Sequence, residues 1–323
     1  MKYRQTPVRI VSVIITIVLV AALISQIKVS DIVDTLFAIE PLYLVLGFGL
    51  YVLSYFLRAM RFHVLLRKQV GIKDLFNIVC VHNMVNNILP ARTGELSYIY
   101  LLKKLHGRKT GEGIATLFVA RVFDFIAISL LFIISALIIR DLPEMIIKAV
   151  WVIAFFMVSI VILLITLLCF GNSFINLVRN FFRRFNLEKK YFVDYLLKKG
   201  EEMVEHFEEI KTTGKIIELV IISVGIWLFL YSLNYTLIRA MDINLYFFAV
   251  LLGSTFAIFT TVLPIQGIGG FGTFESGWAV GFITMGLAKE VAVGSGFGYH
   301  IMILIYFMIL GCHGILRIKI KKS

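Results

Sequence analysis

TVLPIQGIGGFGTFE, residues 261–275, sets a glycine-rich turn and a carboxylate deep inside a very apolar half of the chain. Gly267, Gly269 and Gly272 fall in a G-x-G-x-x-G spacing, which in a strand–turn–helix unit cradles the phosphates of a dinucleotide. Here no strand pattern precedes the glycines and no βαβ unit surrounds them, so that reading is set aside. What remains is the turn. Glycines permit a tight reversal, a close approach of helices, and backbone N–H groups aimed at an anion.

A second stretch has the same grammar. NILPARTGELSYIY, residues 87–100, also interrupts an apolar run with Leu-Pro, then glycine, then glutamate. The two turns therefore comprise Pro90 and Gly94 in one, and Pro264, Gly267, Gly269, Gly270 and Gly272 in the other. Unsatisfied backbone is expensive in lipid, so broken segments are tolerated only where protein or a polar cavity surrounds them. Each segment reads as a re-entrant hairpin, with two short spans as the alternative.

The composition sets the class. Of 323 residues, 59% are hydrophobic and 16% charged, with a mean hydropathy of +0.92. A soluble domain cannot bury that much apolar surface, so the fold class is an all-α polytopic membrane protein. The net charge of +12 fits cytoplasmic loops facing anionic lipid, and nucleic acid is not expected. Cys80, Cys169 and Cys312 stand at unrelated spacings and the six histidines are scattered, so neither a metal nor a cofactor is expected.

Long apolar runs cover roughly 42–66, 113–139, 145–171, 215–239 and 291–316, and a retained first span covers 8–27 within a leading segment 1–41. This predicts about six full transmembrane helices plus two hairpins, 75–102 and 245–287. Lysine and arginine orient them. With the N-terminus in the cytoplasm and each hairpin returning to its own side, only Lys28, Arg140, Lys148, Arg239 and Lys289 of the 32 basic residues lie outside. Arg92 and Arg121 lie within the membrane, and all the others are cytoplasmic, as the positive-inside rule requires. The units 42–139 and 215–316 then repeat span–hairpin–span with opposite orientation, the pattern that places a site between broken helices. Residue 145–171 is a connecting span. The polar loop 172–214 carries Phe192, Tyr195, Leu196, Met203, Phe207 and Ile210 on one helical stripe, which predicts an amphipathic helix on the inner membrane surface. The expected location is the cytoplasmic membrane of a prokaryote, with both termini cytoplasmic.

Charged and polar groups inside hydrocarbon mark the candidate site. Arg92 and Glu95 follow Pro90; the guanidinium either clamps a phosphate or pins the turn to Glu95. His82, Asn83, Asn86 and Asn87 share a polar helix face that suits a cavity wall better than lipid. Arg121 and Asp124 are spaced i, i+3, which is plainly read as an internal ion pair, with a headgroup contact as the alternative. Arg58 and Arg61 close a span and read as snorkelling anchors. Glu275 mirrors Glu95 after the second turn; proton coupling, recognition of a cationic group and a structural hydrogen bond all suit it.

LPARTGEL (89–96), ARVFDFI (120–126) and LPIQGIGGFGTFE (263–275), in that order, resemble the lysylphosphatidylglycerol synthase transmembrane-region family, a flippase-like domain. The resemblance covers essentially the whole chain. It implies translocation of a lipid, either an aminoacylated phospholipid or a polyprenyl-linked sugar carrier, through Arg92, Gly94, Glu95, Arg121, Asp124, Gly269, Gly270, Gly272 and Glu275. The family pattern often has arginines where this chain shows Tyr98 and His300, which lowers the positive charge of the implied headgroup site. No synthase domain accompanies the membrane region in this sequence. A transporter is expected, the alternative being a membrane-embedded glycosyl- or aminoacyl-transferase, or its accessory subunit, acting on a lipid carrier. A membrane lipid is the expected substrate; a homo-oligomer and association with glycan- or lipid-synthesis enzymes remain open.

Overall fold

The computed structural model describes residues 39–89, 94–139, 144–184, 213–262 and 268–320, with isolated helical positions between 17 and 23 and between 193 and 208. Pro90, Arg92, Pro264, Gly267, the predicted loop stripe from Phe192 to Ile210 and most of the first expected span lie outside the described residues. The described residues are helical, with no strand.

The first half runs α1 (Pro41–Leu65), α2 (Ile72–Ile88), α3 (Glu95–His106) and α4 (Thr110–Ile138). Then come α5 (Glu144–Cys169) and α6 (Gly171–Arg184). The second half runs α7 (Thr213–Ala240), α8 (Phe247–Val262), α9 (Thr273–Thr284) and α10 (Lys289–Ile320). Among the described residues, four helices are long and apolar enough to cross a membrane: Pro41–Leu65, Thr110–Ile138, Gly214–Ala240 and Lys289–Lys319. The protein is a polytopic membrane protein. Leu42, Val45, Leu53 and Phe56 on α1 and Phe155, Phe156, Ile162 and Leu163 on α5 stand exposed. Such a surface is untenable in water and ordinary against lipid.

The interrupted segments each fold into two short antiparallel helices. At 1.5 Å per residue, α2 with 17 residues and α8 with 16 reach about 25 Å, and α3 and α9 with 12 each reach about 18 Å. All four fall short of the ~30 Å hydrocarbon layer. Local chemistry sets their limits. Gly107 ends α3 in the left-handed conformation at φ 64°. Before α9, Gly269, Gly270 and Gly272 take φ of 64°, 80° and 83° around a 3-10 turn, Ile268–Gly270. Side chains other than glycine rarely adopt these angles, so the opening motif is a backbone device.

The halves run in opposite directions. Gly47 faces Leu233 and Leu237 while Gly225 faces Leu57, so α1 and α7 are antiparallel along the seam between the halves. Each packing contact of one half recurs in the other. α2 lies on α10 as α8 lies on α4, and α3 joins α2 to α4 as α9 joins α8 to α10. Small residues close these seams: Gly281 meets the Gly253 backbone, Gly94 meets Asn86, and Gly311 meets Met84. A further amphipathic helix, Gly171–Arg184, opens the connecting region and exposes Leu177 and Phe181.

A methyl group at Gly94 or Gly281 would overlap backbone of the facing helix, whereas one at Gly49 would meet nothing within 4 Å. Gly94→Ala and Gly281→Ala should each destabilise the detergent-solubilised protein by about 1–3 kcal/mol in thermal unfolding. Gly49→Ala should leave the midpoint unchanged or slightly raised.

Candidate functional site

The two hairpins and the spans around them enclose a cavity of about 250 Å³. Both halves build its wall. Tyr51, Tyr55 and Arg58 come from α1, Asn83, Asn86 and Asn87 from α2, and Arg121 from α4. The second half supplies Trp227 and Asn234 from α7, Gly269 and Gly270 from the turn, Phe274 and Trp278 from α9, and Tyr299 and His300 from α10.

Beneath the cavity lies an ion pair that the reading of Arg61 as an interfacial anchor did not foresee. Arg61 is 1% exposed. Its Nη1 and Nη2 donate to the two carboxylate oxygens of Asp124 at 2.7 and 3.2 Å, and Nη1 also donates to Ser223 Oγ at 3.0 Å. Trp227 Nε1 donates to Asp124 at 2.9 Å. The correction has a simple cause: α4 and α7 pack over the last turns of α1, so the guanidinium reaches a carboxylate before it reaches water. A side chamber of about 20 Å³, the size of one water, lies between Arg58, Arg61, His82, Asn83, Arg121 and Asp124.

Asp124 is therefore satisfied chiefly by Arg61, not by its sequence neighbour. Arg121 Nη1 stays 3.7 Å from Asp124, while Arg121 Nη2 donates to Glu95 at 2.9 Å. The second half has a matching pair. Glu275 is fully buried, accepts the Gly272 N–H at 2.7 Å, and sits 2.6 Å from His300 Nδ1. The His300 ring stacks on Phe271 with centroids 4.2 Å apart.

Of the residues singled out from sequence, Asn83, Asn86, Asn87, Arg121, Gly269 and Gly270 line the cavity. Glu95 and Glu275 stand behind it and reach it through Arg121 and His300. Asp124 lines the side chamber, Gly94 packs on α2, and Gly272 caps α9. Sequence reasoning missed Arg58 as a wall residue, together with Tyr51, Tyr55, Trp227 and Asn234. Asn234 had a signal, since it is an isolated amide in an apolar helix; it accepts the Tyr299 hydroxyl at 2.7 Å.

The electrostatics of the wall have one sign. Arg58 and Arg121 line the cavity, and no aspartate or glutamate does so among the described residues. Buried Arg58 Nε and Asn83 Nδ2 have no hydrogen-bond partner, and Asn86 Oδ1 has none either. Buried polar atoms normally find partners, so the Arg58 and Asn83 donors fit a guest that accepts hydrogen bonds, and Asn86 Oδ1 fits a hydroxyl or amine of that guest. Among the described residues no group of His, Cys, Asp or Glu could hold a metal ion.

Fold and cavity together define a polytopic helical membrane protein whose two opposed halves enclose a basic, aromatic-walled chamber. Residues 9–311 match the Lysylphosphatidylglycerol synthase TM region family, and the chain belongs to that family. It is also 39% identical over 100 residues to a UPF0104 membrane protein of Methanocaldococcus jannaschii, an alignment covering 29% of this chain and 40% of the archaeal one. The chain thus spans about two-fifths of the length of that relative.

Removing one member of a buried pair leaves the other charge stranded. Arg61→Met should destabilise by about 3–5 kcal/mol in thermal unfolding, and the double variant Arg61→Met with Asp124→Leu should recover most of that loss.

Proposed function

We propose that the protein carries a lipid with an anionic, phosphate-bearing headgroup across the cytoplasmic membrane, holding the headgroup in the cavity between the two halves. The observation that carries this reading is the wall: Arg58 and Arg121 with unpartnered donors, and no lining carboxylate among the described residues. An arginine offers a planar fork of donors matched to phosphate oxygens. The volume of about 250 Å³ lies below the ~300–1,000 Å³ typical of pockets for whole drug-sized ligands. A headgroup fits such a space, and acyl or prenyl chains would remain against the apolar exterior.

In this reading both termini face the cytoplasm and the two hairpins are re-entrant from opposite sides. Two supports are the bias of lysine and arginine and the shortness of α2, α3, α8 and α9. Rocking of the opposed halves about the headgroup would give alternating access. The membership in a lipid-related family agrees with a lipid as the guest. Transport changes no covalent bond, which separates this reading from a transferase acting on a lipid carrier.

Reconstituted into liposomes with fluorescent phosphatidylglycerol, the protein should expose inner-leaflet probe to a quencher added outside. Arg58→Gln and Arg121→Gln should each slow this by about tenfold or more, the scale of one lost charge-assisted hydrogen bond. A new lipid species in mass spectrometry, or quenching equal to that of protein-free vesicles, would overturn the proposal.

A further inference from the structure

Each half of the molecule sets an acid in the first turn of its second hairpin helix and bonds it to a basic group on the following span. Glu95 meets Arg121 at 2.9 Å across 26 residues, and Glu275 meets His300 at 2.6 Å across 25. Both basic groups line the cavity, whereas neither acid does. The halves differ in one chemical respect. A guanidinium keeps its charge, while an imidazole can gain and lose a proton near neutral pH.

We infer that the Glu275–His300 pair is a proton-binding site coupled to the anion in the cavity, so that one proton and one anionic headgroup are taken up together. This rests on the reading of the cavity as a headgroup site. The charge balance does not depend on which atom holds the proton. With a carboxylate and a neutral imidazole the pair carries one negative charge; with one proton more it carries none. The pair becomes more positive by one charge in either microstate, and the adjoining cavity feels that change. His300, at the wall, gives the proton its way in; Glu275 is sealed behind it and fixed by the Gly272 N–H.

Among the described residues, the surroundings of the cavity leave this pair as the variable charge. α1 presents Arg58 and the phenols of Tyr51 and Tyr55, α4 presents Arg121, and α10 itself adds Tyr299. α2 offers only the amides of Asn83, Asn86 and Asn87, α7 offers Trp227 and Asn234, and α8 offers Ser254. Glu95 and Asp124 are held by Arg121 and Arg61. Phe271 and Phe274 cover the imidazole faces. Linkage is reciprocal: an anion that favours the protonated pair is bound more tightly where that proton is available.

The test uses the whole protein in nanodiscs of neutral lipid, with short-chain phosphatidylglycerol as probe, because its phosphodiester keeps one charge through neutral pH. Affinity should weaken as pH rises from about 5.5 to about 8.5, approaching tenfold per pH unit where uptake is one proton. A pH indicator in weak buffer should record that uptake on binding. His300→Arg should bind with affinity independent of pH and without uptake, because the guanidinium keeps its charge and holds Glu275 ionised. His82→Gln, outside the large cavity, should retain the coupling. Wild-type binding that is flat in pH and takes up no proton overturns the inference and leaves the headgroup reading standing. Loss of coupling in His82→Gln also overturns the assignment. Absence of phosphatidylglycerol binding at every pH overturns both readings together.

Discussion

A charge inside hydrocarbon must be answered by protein, and the answer to Arg61 organises this molecule. Its guanidinium joins α1 to Asp124 on α4 and to Ser223 on α7, and Trp227 of α7 closes the remaining side of Asp124. Three of the four long spans thus meet at one bidentate pair. Desolvating two ions costs several kcal/mol each, which only good geometry and further hydrogen bonds offset. Both conditions are met here. With Arg61 committed to Asp124 and Arg121 committed to Glu95, Arg58 is, among the described residues, the arginine that faces the cavity with an unpartnered Nε.

The same constraint explains the hairpins. A turn set among apolar helices must be buried by protein, and the described part of the second turn is packed against the opposite half. The 3-10 turn before α9 packs on α2, and α2 in turn carries the asparagines of the cavity wall. The left-handed glycines do two things there. They reverse the chain without a side chain to exclude the neighbour, and they leave the Gly272 N–H free to fix Glu275. Glu275 is thereby a cap, a partner of His300 and a buried acid at once.

Much of this was legible in the sequence because it is local. Hydropathy runs mark the spans, since a helix must be apolar for its whole length to cross. Leu-Pro, glycine and glutamate in the middle of two such runs mark the breaks. The spacing of Asn83, Asn86 and Asn87 marks a single helix face, and that face lines the cavity. The illegible part is the choice of partner. Arg121 and Asp124 are one turn apart and look like a pair, yet Glu95, 26 residues away, comes closer. Arg58 and Arg61 sit where an interfacial anchor would sit, and only the covering by α4 and α7 turns them inward. His300 read as a missing arginine because its meaning lies in Glu275, on another helix. Periodicity reports faces, but it does not report which two faces meet.

The unequal pairs bear on how such a cavity can work. A carrier must release what it binds, and a wall of permanent cations with unfilled donors would hold a phosphate equally well whichever side it faced. Two opposed halves with identical basic groups would worsen this, because inversion would present the headgroup with the same charge on either side. Replacing one permanent cation by an imidazole–carboxylate pair breaks that equivalence without opening the fold, since the hydrogen bond to Glu275 keeps its place in the packing. On the proposed coupling, the hold on the anion would follow the proton activity of the compartment to which the cavity is open. Across a membrane that maintains a proton gradient, two such openings would then differ in affinity without any difference in the residues that line them. Direction would then come from one titratable pair, and the opposed repeats would supply only the path.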